Sequence, residues 1–284
     1  MIEQQLRKAR HIGNILVATD GSEFSESATG LAIEVARDCQ AKLTVMTMVP
    51  FGEDLEMVGT HALRASQDKE AQARLDEVAA RAVAAGVDCV TSIRYGEDPA
   101  QEIVAAADEI GTDLIVMGRR GKRGLARMMV GDATAKVVGN AECLVLIAPR
   151  GAKMWQRGIV LATDGSAHSE AAAASAIAFA ARCKLPLTVV SATTASHSAA
   201  RKAEALSAVE KVAALAKTQG ISGEALVEEG HPNEVVVAAA AGKAADLIVV
   251  GSHGRTGIAK ILLGSISERI IGAAQCPVLV AKPL

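Results

Sequence analysis

The stretch Gly251-Ser-His-Gly254-Arg-Thr-Gly257-Ile-Ala-Lys-Ile-Leu-Leu-Gly264-Ser265 combines residue types and spacings that could do chemistry. Glycines at 251 and 254 let backbone approach a ligand with no Cβ in the way. Gly264-Ser265 opens the following helix with N–H groups outside the hydrogen-bond ladder and with a hydroxyl. Free amides and the helix dipole both favour negative charge there, so the segment reads as an anion site. Arg255 and Lys260 add positive charge that could meet a polyphosphate. The bland alternative, turn glycines and a serine cap, accounts for Gly257 and for some of the others. Asp164 lies in the segment Ile159-Val-Leu-Ala-Thr-Asp-Gly-Ser166. A carboxylate beside a bound anion needs a cation or a hydroxyl between them. Asp164 could equally form an Asx turn or cap the helix expected from 167, and the two roles are compatible. His253 has no second histidine or carboxylate at ligand spacing in its segment, so a loop contact is the expectation.

These residues belong to a repeat. Ile15-Leu-Val-Ala-Thr-Asp-Gly-Ser22 precedes its second copy by 144 positions, and the same offset maps Cys39 onto Cys183. Asp113-Leu-Ile-Val-Met-Gly118 recurs as Asp246-Leu-Ile-Val-Val-Gly251 at an offset of 133, with Cys143 mapping onto Cys276. The difference is extra chain in the first copy, placed around Pro50–Thr60, where Gly52 and Gly59 suggest a longer loop. The second copy has the shorter Ser191–Ser198 there.

Short β-branched apolar runs alternate with amphipathic stretches, the pattern of parallel strands covered by helices on both faces. Copy one predicts strands near 13–19, 43–49, 88–94, 113–117 and 143–148, with helices near 24–38, 64–85, 98–110 and 132–140. Copy two predicts strands near 158–163, 186–191, 223–228, 246–250 and 277–281, with helices near 167–182, 198–219, 232–242 and 265–274. The fold class is therefore α/β: two repeated, doubly wound, parallel five-stranded sheets. A boundary near Gly151–Gln156 divides the chain into domains 1–150 and 156–284.

Composition narrows the function. A formal charge of −2 gives no field to draw nucleic acid, and no block of like charge suggests a binding tail. Only Trp155, Tyr95, Phe24, Phe51 and Phe179 are aromatic, so Val, Ile, Leu, Met and Ala must build the cores. No apolar leader follows Met1, and no run is long enough to span a bilayer. Five scattered cysteines without a C-x-x-C pair indicate neither a disulfide framework nor a zinc site, and each reads as a small buried hydrophobe. A cytoplasmic protein without membrane or nucleic-acid partners is the expectation.

The spacing Gly-x2-Gly-x9-Gly-Ser at 251–265, with the repeated Asp-Gly-Ser element, resembles the signature of ATP-binding universal stress proteins over essentially the whole chain. The resemblance implies a Rossmann-like, adenine nucleotide alpha hydrolase-like fold and ATP with Mg²⁺ as ligands. Carried over residue by residue, it places adenosine and a metal-bridged phosphate at Ala162, Thr163 and Asp164, with Asp164 facing the metal. It assigns an adenine contact to the backbone of Ala192, and the ribose and phosphate loop to Val250, Gly251, His253 and Gly254. Gly264, Ser265 and Ile266 would cradle phosphate. It also implies that Val145–Ala148 and Val278–Ala281 pair the two domains within one chain, with a homodimer of chains as a further expectation.

Copy one keeps the spacing, and its counterparts are Thr19, Asp20, Gly118, Gly121 and Gly131, but Asp132 replaces the Ser/Thr. A carboxylate there is a good cap and a poor phosphate neighbour. Arg119, Arg120, Lys122, Arg123 and Arg127 crowd the same loop and could offset or pair with it. Unequal sites are expected. The reading is an ATP-binding protein of stress response or regulation acting through nucleotide-dependent conformation or assembly. Its alternatives are a ligand-free assembly module of the same fold and, third, a slow ATPase. Asp164 and Asp20 are the only candidate bases and neither has a partner acid, so an enzyme ranks last among the readings, with weak ATP hydrolysis left open.

Overall fold

The computed structural model describes residue 6 and residues 9–50, 60–121, 130–254 and 263–283. In copy one, β1 (Asn14–Ala18), α1 (Glu23–Cys39), β2 (Lys42–Pro50), α2 (Thr60–Ala84), β3 (Cys89–Gly96), α3 (Pro99–Glu109), β4 (Leu114–Gly118), α4 (Asp132–Asn140) and β5 (Leu144–Ala148) alternate. Copy two repeats the order with β6 (Ile159–Ala162), α5 (Ala167–Cys183), β7 (Leu187–Thr193), α6 (Ala199–Thr218), β8 (Gly223–Glu229), α7 (Pro232–Gly242), β9 (Leu247–Gly251), α8 (Ser265–Ala273) and β10 (Val278–Ala281). The longer loop expected at 50–60 lies largely outside the described residues.

Both five-stranded sheets are parallel and join edge to edge into one ten-stranded sheet, ordered β3-β2-β1-β4-β5-β10-β9-β6-β7-β8. The join is the antiparallel pair β5–β10, with Val145 opposite Val280, Leu146 opposite Leu279 and Ile147 opposite Val278. Strand apolarity is continuous because both faces are covered. Ile15, Val17, Leu43, Leu114 and Val116 face Leu31 of α1 and Leu75 of α2, in one layer with Ile177 of α5 and Val209 of α6. Leu16 and Ile115 face the other way, in a layer with Ile103 of α3, Val137 of α4, Val235 of α7 and Ile270 of α8. Each such aliphatic side chain contributes about 1.5–3 kcal/mol on full burial.

Strand starts differ slightly from expectation. Asp113 and Asp246 precede β4 and β9 rather than opening them, and each carboxylate accepts backbone amides from the residues leading into the neighbouring strand. Asp113 takes Gly13 and Asn14 at 2.8 and 3.0 Å. Asp246 takes Gln156, Arg157 and Gly158 at 2.9, 3.1 and 3.2 Å. The linker packs inward at Trp155, whose ring stands 5.6 Å from that of Phe179. The cysteines are all free and half-buried rather than fully buried. Burial pushes the thiols of Cys143 and Cys276 up to about 12 and about 11, so both are protonated at neutral pH.

The topology positions the site. In each copy the first strand lies between the second and the fourth, so the chain leaves the sheet in opposite directions on either side of β1 and of β6. Such a reversal opens a crevice beyond the carboxyl ends of the strands, where ligands bind in α/β sheets. The Asp-Gly-Ser segments and the glycine-rich loops stand at those ends.

Candidate phosphate loop

Ser166 caps α5 by accepting the Ser169 amide, and the turn before it is fixed by Thr163 and Asp164. The Thr163 hydroxyl bonds to Ser169 Oγ at 3.1 Å and accepts the Gly165 amide. Asp164 Oδ1 accepts the Ser166 amide at 3.0 Å, an Asx turn. The Thr163 hydroxyl is thus committed inward, and its amide donates to Val190 O at 2.9 Å. The other carboxylate oxygen of Asp164 faces the glycine loop, where a Cβ added to Gly254 would stand 2.9 Å from Oδ2. Gly251 is equally constrained, since a Cβ there would meet the His168 backbone at 2.8 Å.

The loop returns to the sheet at Gly264, whose amide donates to Ser252 O at 2.9 Å. A Cβ on Gly264 would lie 3.0 Å from that carbonyl. Ser267 Oγ donates to Gly251 O at 2.7 Å and locks the start of α8 against the end of β9. Gly264 is the N-cap without a side-chain hydrogen bond, and the first intrahelical bond runs from the Glu268 amide to Gly264 O. The amides of Ser265, Ile266 and Ser267 thus precede the ladder, at a helix end where Ser265 and Ile266 are exposed. Residues 255–262, including Arg255 and Lys260, lie outside the described residues.

Asp164, Gly251, His253, Gly254 and Gly264 are therefore brought together, with Ser265 and Ile266 at the adjoining helix start. Val250 is buried in β9, and Ala162 and Ala192 sit half-buried toward the ends of β6 and β7. Sequence reasoning missed His168. Its Nδ1 lies 3.1 Å from Ser252 Oγ, which is also 3.2 Å from His253 Nδ1, and the two imidazoles stand 5.1 Å apart. Burial, reinforced by His253, lowers the His168 pKa below the ordinary histidine value. The position of His168, one turn after Asp164, was the signal available. Among the described residues no group of three His, Cys, Asp or Glu could hold a metal. A cavity of about 400 Å³ lies elsewhere, lined by His11, Asp113, Cys143, Ser175 and Lys282, and holds none of the predicted site residues.

Copy one reproduces the frame. Asp20 Oδ1 accepts the Ser22 amide and the hydroxyls of Ser22 and Ser25, and a Cβ on Gly121 would lie 2.9 Å from Oδ2. Thr134 Oγ1 donates to Gly118 O as Ser267 does to Gly251 O. The helix start differs. Gly131 is the N-cap and Asp132 the first helical residue, so the capping expected of Asp132 does not occur. Its carboxylate instead pairs with Lys136 at 2.9 Å. Where copy two has His168, Ser252 and His253, copy one has Phe24, Arg119 and Arg120.

The universal stress protein family model matches twice, over residues 11–149 and 156–282. This chain belongs to the universal stress protein family. It is a tandem member. Universal stress protein Rv2005c of Mycobacterium tuberculosis is 26% identical over 305 residues, spanning 98% of this chain and 99% of that protein. Universal stress protein MJ0531 of Methanocaldococcus jannaschii is 46% identical over 81 residues, which cover 28% of this chain and 48% of that relative. A universal stress protein structure from Archaeoglobus fulgidus shares the fold with a TM-score of 0.76 at 20% identity, covering 95% of this chain and 98% of that one. No described helix of this universal stress protein is long and apolar enough to cross a membrane.

Proposed function

We propose that copy two binds ATP with Mg²⁺ and that nucleotide occupancy regulates conformation or assembly in a stress response, without turnover. The carrying observation is the stacking of Gly254 against Asp164 beside the start of α8, which puts a carboxylate and helix-start amides on one crevice. The amides of Ser265, Ile266 and Ser267 would receive phosphate oxygens. Mg²⁺ would neutralise phosphate charge beside Asp164, which supplies one hard oxygen. Ala162, Thr163 and Ala192 line the strand ends toward the base, and Val250, Gly251 and His253 form the wall beneath the ribose. Preference for adenine rests on the family signature, whereas the anion preference follows from the helix start. The functional units are 1–150 and 156–284, and the half-buried thiols suit a reducing cytoplasm.

Copy one contributes a weak site or none, since Asp132 puts a carboxylate, 83% exposed, in the first turn of α4. Heating the purified chain and assaying the supernatant for adenine nucleotide tests the proposal. Released nucleotide, or binding of Mg·ATP by the stripped protein at millimolar concentration, is expected. Neither would sink it.

A further inference from the structure

Arg119 follows β4 in the glycine loop of copy one, yet its guanidinium leaves that loop and crosses the join between the copies. Nη1 donates to Gly272 O at 2.9 Å, Ala274 O at 3.0 Å and Ile271 O at 3.3 Å. Ile271 and Gly272 are in the last turn of α8, whose carbonyls have no partners within the helix, and Ala274 is its C-cap. A cation there complements the helix dipole, and charge-assisted bonds hold it more firmly than neutral ones would. The other end of this nine-residue helix, about 13 Å away at 1.5 Å per residue, is the proposed phosphate cradle. Among the described residues of its own loop, copy two does not return the contact. Its residue at the Arg119 position is Ser252, turned toward His168 and His253. The reciprocal bond comes from Lys282, after β10, which donates to Gly139 O at 2.6 Å, near the end of α4. Gly139 and Gly272 are equivalent positions in the two copies.

We propose that the loop of copy one serves as a clasp on copy two, with Arg119 as a positioning residue that holds α8 in register for anion binding at Gly264–Ser265. The basic loop that looked like a second nucleotide site is thereby committed, at its first cation, to the neighbouring site. A helix held at its last turn cannot shift along its axis, so the spacing between its first amides and the Asp164 carboxylate is fixed from across the join. The proposal rests on the nucleotide reading of copy two, and two measurements separate their failures.

Calorimetry of the full chain with Mg·ATP, well below each variant's melting temperature, should show Arg119→Met binding roughly fivefold more weakly, at the low end of ordinary coupling between sites. Arg119→Lys should recover part of the loss. Lys282→Met, which loosens the same join at the other helix, should stay within about twofold of the unmodified chain. Equal affinity for Arg119→Met, or equal weakening by Lys282→Met, overturns the clasp. Absence of binding by the unmodified chain overturns the nucleotide reading instead. In that event hydrogen exchange of the α8 amides in the nucleotide-free chain decides the clasp. Exchange should speed up in Arg119→Met and not in Lys282→Met, and unchanged α8 exchange in Arg119→Met rejects it.

Discussion

Gly254 stands so close to Asp164 that a Cβ on the glycine would come within 2.9 Å of the carboxylate Oδ2. The same relation holds between Gly121 and Asp20 in copy one. The loop therefore closes over the end of the first strand in both copies, while the first helical residue beyond it is the neutral Ser265 in copy two and Asp132 in copy one.

Gly254→Ala should push the loop off Asp164 and weaken Mg·ATP binding at least tenfold, whereas Gly121→Ala should leave the affinity unchanged. Calorimetric titration of the two variants side by side checks this. Equal losses in both would mean that the copies share the work.

Asp246 ties the start of copy two to β9. Burial raises its pKa, but the amides of Gln156, Arg157 and Gly158 outweigh that effect and the net shift is downward. Its stabilisation is therefore complete above the ordinary aspartate value of about 3.9 and is lost as pH falls through the depressed native value. Asp246→Asn should cost about 1–3 kcal/mol at pH 7, and the gap from the unmodified chain should close toward pH 3. Urea melts across that range read it, and a gap independent of pH would contradict the role given to the charge.

The repeat, the parallel strands and the helix layers were legible because apolar periodicity and turn residues act locally. Asp164 and the glycines were legible for a related reason: backbone approach and an Asx turn are set by residue type at short range. Arg119 was not, since a loop cation in sequence can as well be solvated or meet a phosphate, and only the β5–β10 join carries α8 within its reach. Asp132 was misjudged as a cap because the helix begins one residue earlier than capping required, leaving Lys136 one turn ahead as its partner. His168 needed the third dimension too, since Ser252 reaches it from 84 positions away.

Asp132→Ser removes an exposed i,i+4 pair and should change stability by less than about 0.5 kcal/mol. It also gives copy one the Gly-Ser pair that opens the helix in copy two. A second, weaker equivalent of nucleotide should then appear in the binding isotherm. An unchanged stoichiometry would place the barrier in copy one somewhere other than the carboxylate.

The central claim, one nucleotide site in copy two, is tested most directly by the stoichiometry of Mg·ATP bound to the stripped full-length chain and to its Gly264→Val and Gly131→Val variants. The expected result is one equivalent per chain, lost in Gly264→Val, where the side chain would meet Ser252 O, and retained in Gly131→Val. No binding by the unmodified chain, or loss only in Gly131→Val, would contradict the account.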